Sequence, residues 1–208
     1  MRIPAQASQT ELVVVNSRFI AIVQPSESVT AAKEQIAVIR AQHPTAAHHV
    51  PAYIIGHDHS KTEHCSDDGE PKGTAGRPML AVLRGSGLGD ILAVVVRYFG
   101  GTKLGTGGLV RAYTEALQQT LAVTPQAELR PTVSLMLAIP YNLLERVRLL
   151  MAAQQAILLS EDFAADITIT CRLLTLHLSE FQSALQALSN GQVQAEVLEQ
   201  GLSAFVLA

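Results

Sequence analysis

Five of the nine residues from position 100 to position 108 are glycine, and this segment limits the fold more than any other part of the chain. Six consecutive apolar residues, 91–96, precede it, and apolar residues at helical spacing follow it from Leu109. An unbroken apolar run of this length is typical of a strand that is buried on both faces of a sheet. The sequence therefore predicts a central strand, a glycine-rich connection and a helix in the first half of the chain.

The glycine-rich connection has features of a phosphate site, because free N–H groups and a partial positive charge at a helix start favour an anion. The residues before the predicted helix are Gly105, Thr106, Gly107 and Gly108. Lys103 and Arg111 add formal positive charge nearby. The segment lacks the Gly-Lys-Ser/Thr of a P-loop, and the dinucleotide fingerprint would need glycine at Val110. Two interpretations stay open: contact with a phosphate, or a tight turn that packs closely on the sheet.

Arg97 follows the predicted central strand and precedes two aromatic residues, Tyr98 and Phe99. An arginine beside aromatic rings at a strand end suits stacking on bases and contact with phosphate, as in proteins that bind single strands. The alternative is an arginine whose donors are satisfied inside the protein, by backbone carbonyl groups or by Asp68 or Asp90.

A polar stretch without periodicity covers residues 57–73, and we predict a structureless functional loop there. Asp67, Asp68 and Glu70 place three carboxyl groups in four positions, a density that suits Mg²⁺ or acid–base chemistry. The same residues are typical of a solvated turn with a side-chain to backbone hydrogen bond at Asp68. The ligand spacing of an EF-hand is missing.

Histidine and cysteine gather before and within this loop, which raises the question of a zinc site. The group consists of His48, His49, His57, His59, His64 and Cys65. Its spacings match no standard zinc finger, and the adjacent His64 and Cys65 are poorly placed to form an activated thiol pair. The chain has no Gly-x-Ser-x-Gly nucleophile motif. We therefore predict no metal, no cofactor and no catalytic residue.

Periodicity and capping signals predict a hairpin, a helix, a strand and a second helix elsewhere in the first half. In order, these are strands at 11–15 and 18–23 with a turn at Asn16 and Ser17, a helix from Ser26 or Ser28 to Pro44, a strand at 50–55 and a helix at 78–83.

The second half again alternates strand and helix periods. The predicted elements are a strand at 132–139, a helix at 143–151, strands at 156–159 and 167–173 joined by an acidic turn at Glu161 and Asp162, a helix at 178–188 and a strand at 193–198. Their order, β-α-β-β-α-β, is that of a split βαβ sandwich. With a linker at residues 124–128, we predict an α+β chain of two domains, 1–128 and 129–208.

Charge is distributed unevenly between the predicted domains. The chain has 15 Lys and Arg residues against 18 Asp and Glu residues, a formal net charge of -3. Residues 1–128 hold 11 basic and 11 acidic residues, so the remaining 4 basic and 7 acidic residues give residues 129–208 the whole deficit. A nucleic-acid surface must therefore be a local patch of the first domain. The second domain is predicted to serve in packing or in docking a partner.

The sequence lacks the features of a secreted or membrane protein, and this predicts its cellular compartment. Its two cysteines cannot form a disulfide framework and are predicted to be reduced thiols. The N-terminus has no apolar signal-peptide core, and the longest apolar run is far below the roughly 20 residues that span a bilayer. We therefore predict a cytoplasmic protein without membrane contact.

Two segments carry a resemblance to a known family. They are Gly76-Arg77-Pro78-Met79-Leu80 and Arg97-Tyr98-Phe99-Gly100-Gly101, the second closing at Leu104-Gly105. The neighbouring Asp67-Asp68-Gly69-Glu70-Pro71 and Gly107-Gly108-Leu109-Val110 fit as well. On these residues the chain resembles the IMPACT (YigZ-like) family, over essentially its whole length.

The resemblance implies a fold and a role. The first domain is expected to resemble the second domain of the fifth small-subunit ribosomal protein and domain IV of elongation factor G. The second is expected to be ferredoxin-like, similar to domain V of that factor. Eukaryotic family members inhibit an amino-acid-starvation kinase by competing for its activator protein, and they carry an additional N-terminal partner-binding domain that this sequence lacks. For bacterial members the family implies an RNA- or ribosome-related role.

We expect a non-enzymatic, translation-associated regulator that binds RNA or the ribosome through the first domain. The expected nucleic-acid or phosphate contacts are Arg77, Arg97, Lys103, Gly105, Thr106, Gly107, Gly108 and Arg111. The residues expected to line the site are His48, Asp67, Asp68, Glu70 and Tyr98. Two alternatives stay open: a regulator that binds only proteins, and a nucleotide enzyme with phosphate on the glycine segment and Mg²⁺ on the acidic loop.

Overall fold

The computed structural model describes residues 1–56 and 60–206. The chain divides into two units, one built on Met1–Glu128 and one on Leu129–Ser203. Every helix within the described ranges is too short or too polar to span a bilayer.

The first unit contains an antiparallel sheet with helices on both faces. Its elements are β1 (Arg2–Pro4), β2 (Ser8–Val14), β3 (Ser17–Pro25), α1 (Val29–Gln42), β4 (His48–Ile55), β5 (Thr62–Cys65), α2 (Gly76–Ser86), β6 (Ile91–Tyr98) and α3 (Gly105–Val123). The strand order β2-β3-β6-β4-β5 puts β6 at the centre of the sheet. This strand contains the predicted apolar run, and all of residues 91–96 are buried.

Alternation along β6 decides which side chains meet which helices. Alternate residues beginning at Ile91 pack with α2 and α3 on one face, and those beginning at Leu92 pack with α1 on the other. Successive side chains of a strand point to opposite faces. Arg97 therefore belongs to the α2/α3 face and Tyr98 to the α1 face.

Local backbone chemistry explains the first hairpin and the first helix. Val14 pairs with Ser17 across a two-residue turn whose residues, Val15 and Asn16, have positive φ angles of 46° and 64°. That is the conformation of a type I′ turn, which suits the twist of a hairpin. The turn therefore begins one residue earlier than predicted. Ser28 caps α1, since its hydroxyl accepts a hydrogen bond from a first-turn N–H at 3.1 Å.

One strand lies where the sequence predicted a structureless loop. β5 pairs antiparallel with β4 at the edge of the sheet, from Ala52 opposite Cys65 to Ile55 opposite Thr62. Edge strands tolerate polar and charged residues, so they lack the apolar pattern that reveals a buried strand. The prediction of structureless chain over residues 57–73 is wrong for β5.

α3 begins inside the glycine-rich segment. Gly105 is its first residue, with φ of 71°, and Gly108 still lies in the first turn. The sequence placed the helix after Gly108, because glycine has a low helix propensity. The helix is 19 residues long, and packing of its buried face outweighs the cost of glycine at one end.

The second unit has the predicted β-α-β-β-α-β order. Its elements are most of β7 (Gln126–Ile139), α4 (Leu144–Ala153), β8 (Ile157–Phe163), β9 (Ile167–Leu174), α5 (Leu178–Leu188) and β10 (Glu196–Val206). In the sheet, β7 lies between β10 and β9, and β8 lies beyond β9 at the edge. α4 and α5 cover one face, where Phe181 and Leu185 share a core with Leu135 and Ile169. The predicted α+β fold class is confirmed for both units.

Three boundaries differ most from the prediction. The last strand, predicted at 193–198, is β10 at Glu196–Val206. β7 begins at Gln126 because its first residues pair with β1, so the linker predicted at 124–128 is largely strand. Glu161 and Asp162 lie within β8, and the turn follows at residues 164–166. β8 is an edge strand, where Asp162 stays exposed and Glu161 pairs with Arg148 of α4 at 2.7 Å.

Candidate functional site

A cleft of about 480 Å³ opens in the first unit where β6 ends and α3 begins, and we call it the β6–α3 cleft. Its lining residues are Ala47, His48, Glu70, Pro71, Arg97, Phe99, Lys103, Leu104, Gly105, Thr106 and Leu109. This volume lies within the range of about 300–1,000 Å³ that is typical of small-molecule sites.

Glu70 forms the floor of the cleft. Its side chain is only 3% exposed, and Oε1 accepts hydrogen bonds from Arg97 Nη1 at 2.6 Å and from the Tyr113 hydroxyl at 2.7 Å. His48 Nε2 lies 3.8 Å from the same oxygen. Among the described residues no donor reaches Oε2. One oxygen of this carboxylate is therefore saturated and the other is available.

Arg97 is a buried arginine held between aromatic rings. Its guanidinium lies 5.3 Å from the Phe19 ring centre and 5.5 Å from that of Phe99, and Nη2 donates to Ser17 Oγ at 3.4 Å. The buried Nε has no hydrogen-bond partner within the described part of the chain. Its ion-pair partner is Glu70. The sequence-based prediction that Asp68 or Asp90 would pair with Arg97 is therefore wrong.

Tyr113 is a member of the site that the sequence did not identify. It is fully buried on α3, edge-on to Phe19 at 5.2 Å between ring centres. Burial, reinforced by the hydrogen bond to Glu70, raises the pKa of Tyr113 far above its usual range. The side chain therefore stays a phenol and donates to the carboxylate. In the sequence, the only sign of its role was the hydroxyl group of Tyr113 on the otherwise apolar face of the predicted helix.

The rim of the cleft combines aromatic, cationic and backbone donor groups. Phe99 is 50% exposed, and the exposed Lys103 forms no ion pair with any described residue. Leu104 stands at the N-cap of α3 without a side-chain cap, and the first turn contains no acidic residue. A Cβ at Gly105 or Gly107 would meet no atom within 4 Å. The first N–H groups of α3 therefore have neither an intrahelical acceptor nor a side-chain cap from Leu104.

His48 and Asp68 connect the acidic loop to β4. His48 Nδ1 donates to the Asp68 carbonyl oxygen at 2.7 Å. Asp68 Oδ2 accepts from the His49 N–H at 2.6 Å, and Oδ1 accepts from Arg40 at 2.5 Å. The carboxylate of Asp68 therefore anchors the loop to α1 and β4, and Asp68 does not line the β6–α3 cleft.

Asp67 holds the start of α2. Oδ1 accepts from the backbone N–H groups of Ala75 at 3.1 Å and Gly76 at 2.9 Å, and Oδ2 accepts from Gly73 at 2.8 Å. Partial burial opposes ionisation, but these three donors outweigh it and lower the pKa of Asp67 below its usual 3.8. Asp67 is thus a structural residue of the loop.

The lowered pKa of Asp67 predicts a pH-dependent stability. A carboxyl group whose pKa is depressed by folding stabilises the protein above its unfolded pKa, and this contribution is lost as the pH falls through the folded pKa. Asp67→Asn is expected to destabilise by about 1–3 kcal/mol at neutral pH. The deficit should shrink below pH 3.8 in denaturation curves. Glu34→Gln, at an exposed position of α1, should show no such dependence, and a pH-independent deficit at position 67 would contradict the assignment.

The cleft brings together about half of the predicted site residues. Those that line it are His48, Glu70, Arg97, Lys103, Gly105 and Thr106. Gly107 and Gly108 follow in the first turn of α3 without lining the cleft, and Arg77 and Arg111 lie exposed on α2 and α3. Asp67 and Asp68 serve the loop as described.

Tyr98 lies on the opposite face of the sheet from the cleft. Its hydroxyl is 2.9 Å from His43 Nδ1, and the Arg18 guanidinium lies 5.4 Å from its ring centre. It packs against the core beneath α1. Strand alternation, which brings Arg97 to the cleft, takes the next residue away from it.

The metal and activated-thiol interpretations of the histidine and cysteine group receive no support from the geometry. No group of three or more His, Cys, Asp or Glu side chains within residues 1–56 and 60–206 is arranged to hold a metal ion. His57, Asp58 and His59 lie outside the described residues. Burial, assisted by the charge of Asp67, raises the pKa of Cys65, which opposes an activated thiolate.

Two family models match the chain. The Impact N-terminal domain matches residues 15–121, and a domain of unknown function, DUF1949, matches residues 137–192. The first match includes every residue that lines the β6–α3 cleft.

Relatives match along nearly the whole chain. The IMPACT family member YigZ of Escherichia coli (strain K12) is 38% identical, and the alignment covers 95% of this chain and 98% of that protein. An IMPACT family member of Haemophilus influenzae is 40% identical, over 96% of this chain and 97% of that protein. A crystal structure of a hypothetical protein, 38% identical, matches with a TM-score of 0.64 and covers 95% of this chain and 97% of its own.

Proposed function

The chain belongs to the IMPACT family, and on that premise we propose that it is a non-enzymatic, translation-associated regulator that binds RNA, free or in the ribosome, through the β6–α3 cleft. The observation that supports this most is the rim of the cleft. An exposed aromatic ring, a lysine that pairs with no described acid, and helix amides without a side-chain cap lie around one opening. The translation-related role implied by the family resemblance suits such a surface.

The start of α3 suits a phosphate group. Its first N–H groups are uncapped, and the absence of side chains at Gly105 and Gly107 lets an anion approach the backbone. Lys103 adds a full positive charge directly before the helix. Because no described acid pairs with this lysine, a phosphate would not have to displace a protein carboxylate from it.

Phe99 suits a nucleobase. Half of its surface is exposed, and the buried guanidinium of Arg97 lies 5.5 Å from its ring centre. The Arg97 guanidinium helps to hold the Phe99 ring in one orientation, and the exposed side of the ring remains free for a base to stack on it. Stacking of one base on an aromatic side chain contributes about 1–3 kcal/mol and depends little on which base it is.

Charge sets the expected strength of binding. Residues 1–128 carry 11 basic and 11 acidic residues, so the first unit has no general attraction for polyanions. Affinity must come from the local groups at the cleft and should fall as salt rises. We therefore expect weak binding that is confined to single-stranded segments.

The acidic loop argues against the nucleotide-enzyme alternative. Mg²⁺ at this loop would have to displace three backbone N–H donors from Asp67 and Arg40 from Asp68. Glu70 could offer only Oε2 to the ion, because Arg97 and Tyr113 hold its Oε1. These carboxylates are better explained as the supports of the cleft.

The proposal predicts the behaviour of a lysine variant. Lys103→Ala should weaken binding of a mixed-sequence single-stranded RNA, measured by fluorescence anisotropy at low salt. It should also reduce the slope of log affinity against log salt by about one phosphate contact. Lys33→Ala, an exposed lysine of α1, is the matched control and should leave both quantities unchanged. Absence of RNA binding at low salt, or equal effects of the two variants, would refute the proposal.

A second candidate, a regulator that binds only proteins, is favoured by the edge strand β8. Its exposed apolar residues are Ile157, Leu158, Leu159 and Phe163. Exposed apolar groups on an unpaired strand edge are typical of protein contacts. Capture of partners from lysate with and without nuclease separates the two functions, because partners bridged by RNA are lost after nuclease treatment.

A further inference from the structure

We propose that the β6–α3 cleft selects one nucleotide whose base carries an exocyclic amine, with Glu70 Oε2 as the acceptor for that amine. This inference rests on the proposed function, and it names the class of base that the cleft prefers. Adenine, cytosine and guanine carry such an amine, and uracil does not.

The acceptor is the free oxygen of a buried carboxylate. A carboxylate has about four acceptor sites on its two oxygens. Oε1 of Glu70 uses its sites for Arg97 and Tyr113, whereas no described donor reaches Oε2. The side chain as a whole is only 3% exposed, and Glu70 lines the cleft. A ligand N–H at the floor of the cleft would satisfy Oε2.

The carboxylate is also fixed in place. Arg97 Nη1 and the Tyr113 hydroxyl hold Oε1 from two different elements, β6 and α3. Phe19 lies beside both of these donors, which restricts their movement. An acceptor that cannot rotate discriminates between donors and acceptors on a ligand, because it cannot turn away from a mismatched group.

The remaining walls fit the other parts of a nucleotide. Phe99 offers a partly exposed ring for stacking, with Leu104 and Leu109 as apolar neighbours. Lys103 and the uncapped amides at Gly105 offer an anion site at the same rim. One nucleotide can therefore place its base at the floor and its phosphate at the start of α3.

The base edges differ in what they present to Glu70. Adenine presents its N6 amine, cytosine its N4 amine and guanine its N2 amine, each a donor to a carboxylate. Uracil presents a carbonyl oxygen where cytosine has the amine, and its remaining N–H lies between two carbonyl oxygens. An oxygen beside Oε2 brings two acceptors together with no donor between them, which is unfavourable.

The test compares oligocytidine with oligouridine of equal length on the wild-type protein. These bases differ at two adjacent ring positions: cytosine has an amine and an unprotonated ring nitrogen where uracil has a carbonyl oxygen and an N–H. We expect the cytidine oligomer to bind on the order of tenfold more tightly, the discrimination typical of one well-placed base contact. Oligoadenosine should also bind more tightly than oligouridine. Fluorescence anisotropy at low salt measures all three.

Two variants test which residues are responsible. Phe99→Ala removes an exposed ring, so the protein should fold, and it should weaken all three oligomers to a similar extent. Glu70→Gln should remove the preference for cytidine. Because this change disturbs a buried ion pair, the comparison of oligomers on the wild-type protein decides the question if the variant does not fold.

The outcomes separate the inference from the proposed function. Equal affinity for oligocytidine and oligouridine, or tighter binding of oligouridine, overturns the base preference and leaves RNA binding standing. Absence of binding to every oligomer overturns both. Preference for cytidine that survives in a folded Glu70→Gln variant also overturns the assignment of Glu70.

Discussion

Glu70→Ala is expected to lower the free energy of unfolding by about 3–5 kcal/mol. The variant leaves the buried Arg97 guanidinium without a carboxylate and the buried Tyr113 hydroxyl without its acceptor. A buried charge that loses its partner keeps its full desolvation cost, which explains the size of the effect. Chemical denaturation followed by circular dichroism measures the loss.

The exposed Arg84–Glu63 pair supplies the matched control. Glu63→Ala removes an ion pair of the same chemistry, but the Arg84 side chain is 59% exposed. Solvent screens such pairs, so the expected loss is at most about 1 kcal/mol. Similar losses for Glu63→Ala and Glu70→Ala would contradict the view that Glu70 and Arg97 form a buried structural pair.

Gly100→Ala is expected to cost about 3 kcal/mol or more, or to prevent folding. A Cβ at this position would lie 2.1 Å from the Asn16 carbonyl carbon and 2.4 Å from the Ser17 nitrogen. These are backbone atoms of the β2–β3 hairpin, so no side-chain rotation can relieve the overlap. The Gly100 N–H also donates to Ser17 Oγ at 3.1 Å, and a shift of the chain would break that bond. Thermal and chemical denaturation measure the effect.

Gly107→Ala is the control for this substitution and should act in the opposite direction. Gly107 lies in the first turn of α3, and a Cβ there would meet no atom within 4 Å. Alanine in place of a helical glycine is expected to stabilise by roughly 0.5 kcal/mol. If Gly100→Ala folded with wild-type stability, the close approach of β6 and the hairpin turn would be wrong.

The sequence predicts the framework of the first unit because its central elements carry strong local signals. β6 has an uninterrupted apolar run, and α3 repeats apolar residues at helical spacing beyond Leu109. β5 is not predicted because an edge strand does not need a run of apolar residues. The beginning of α3 is not predicted because glycine has a low helix propensity, although the later turns of α3 make the first turn helical.

The rim of the cleft is predictable for a similar reason. Lys103, Gly105 and Thr106 are consecutive members of one motif, so their proximity follows from their order in the chain. Arg97 is separated from them by only a few residues. A site assembled from one strand end and the next helix start is visible in the sequence alone.

The floor of the cleft is not predictable in this way. Tyr113 and Glu70 are 43 positions apart, and Ser17 and Arg97 are 80 positions apart. Such contacts depend on how the sheet is ordered, which local periodicity does not determine. The sequence accordingly identified Arg97 and Glu70 as site residues but did not pair them.

Alternation along β6 is the signal that could have improved the prediction. Since Arg97 and Tyr98 are adjacent in a strand buried on both faces, they cannot line the same cleft. Applying this rule to the predicted strand would have removed Tyr98 from the site. Phe99 lies just beyond the strand and is free of that constraint, which is why it reaches the rim.

Binding of single-stranded RNA at the β6–α3 cleft can be tested residue by residue. Amide chemical shifts of isotope-labelled protein, recorded during titration with a short single-stranded RNA, test it most directly. If RNA binds in the cleft, the largest changes should occur at Phe99, Lys103, Gly105 and Thr106, with little change at Lys33 on α1. Changes concentrated away from the cleft, or an unchanged spectrum at saturating RNA and low salt, would contradict it.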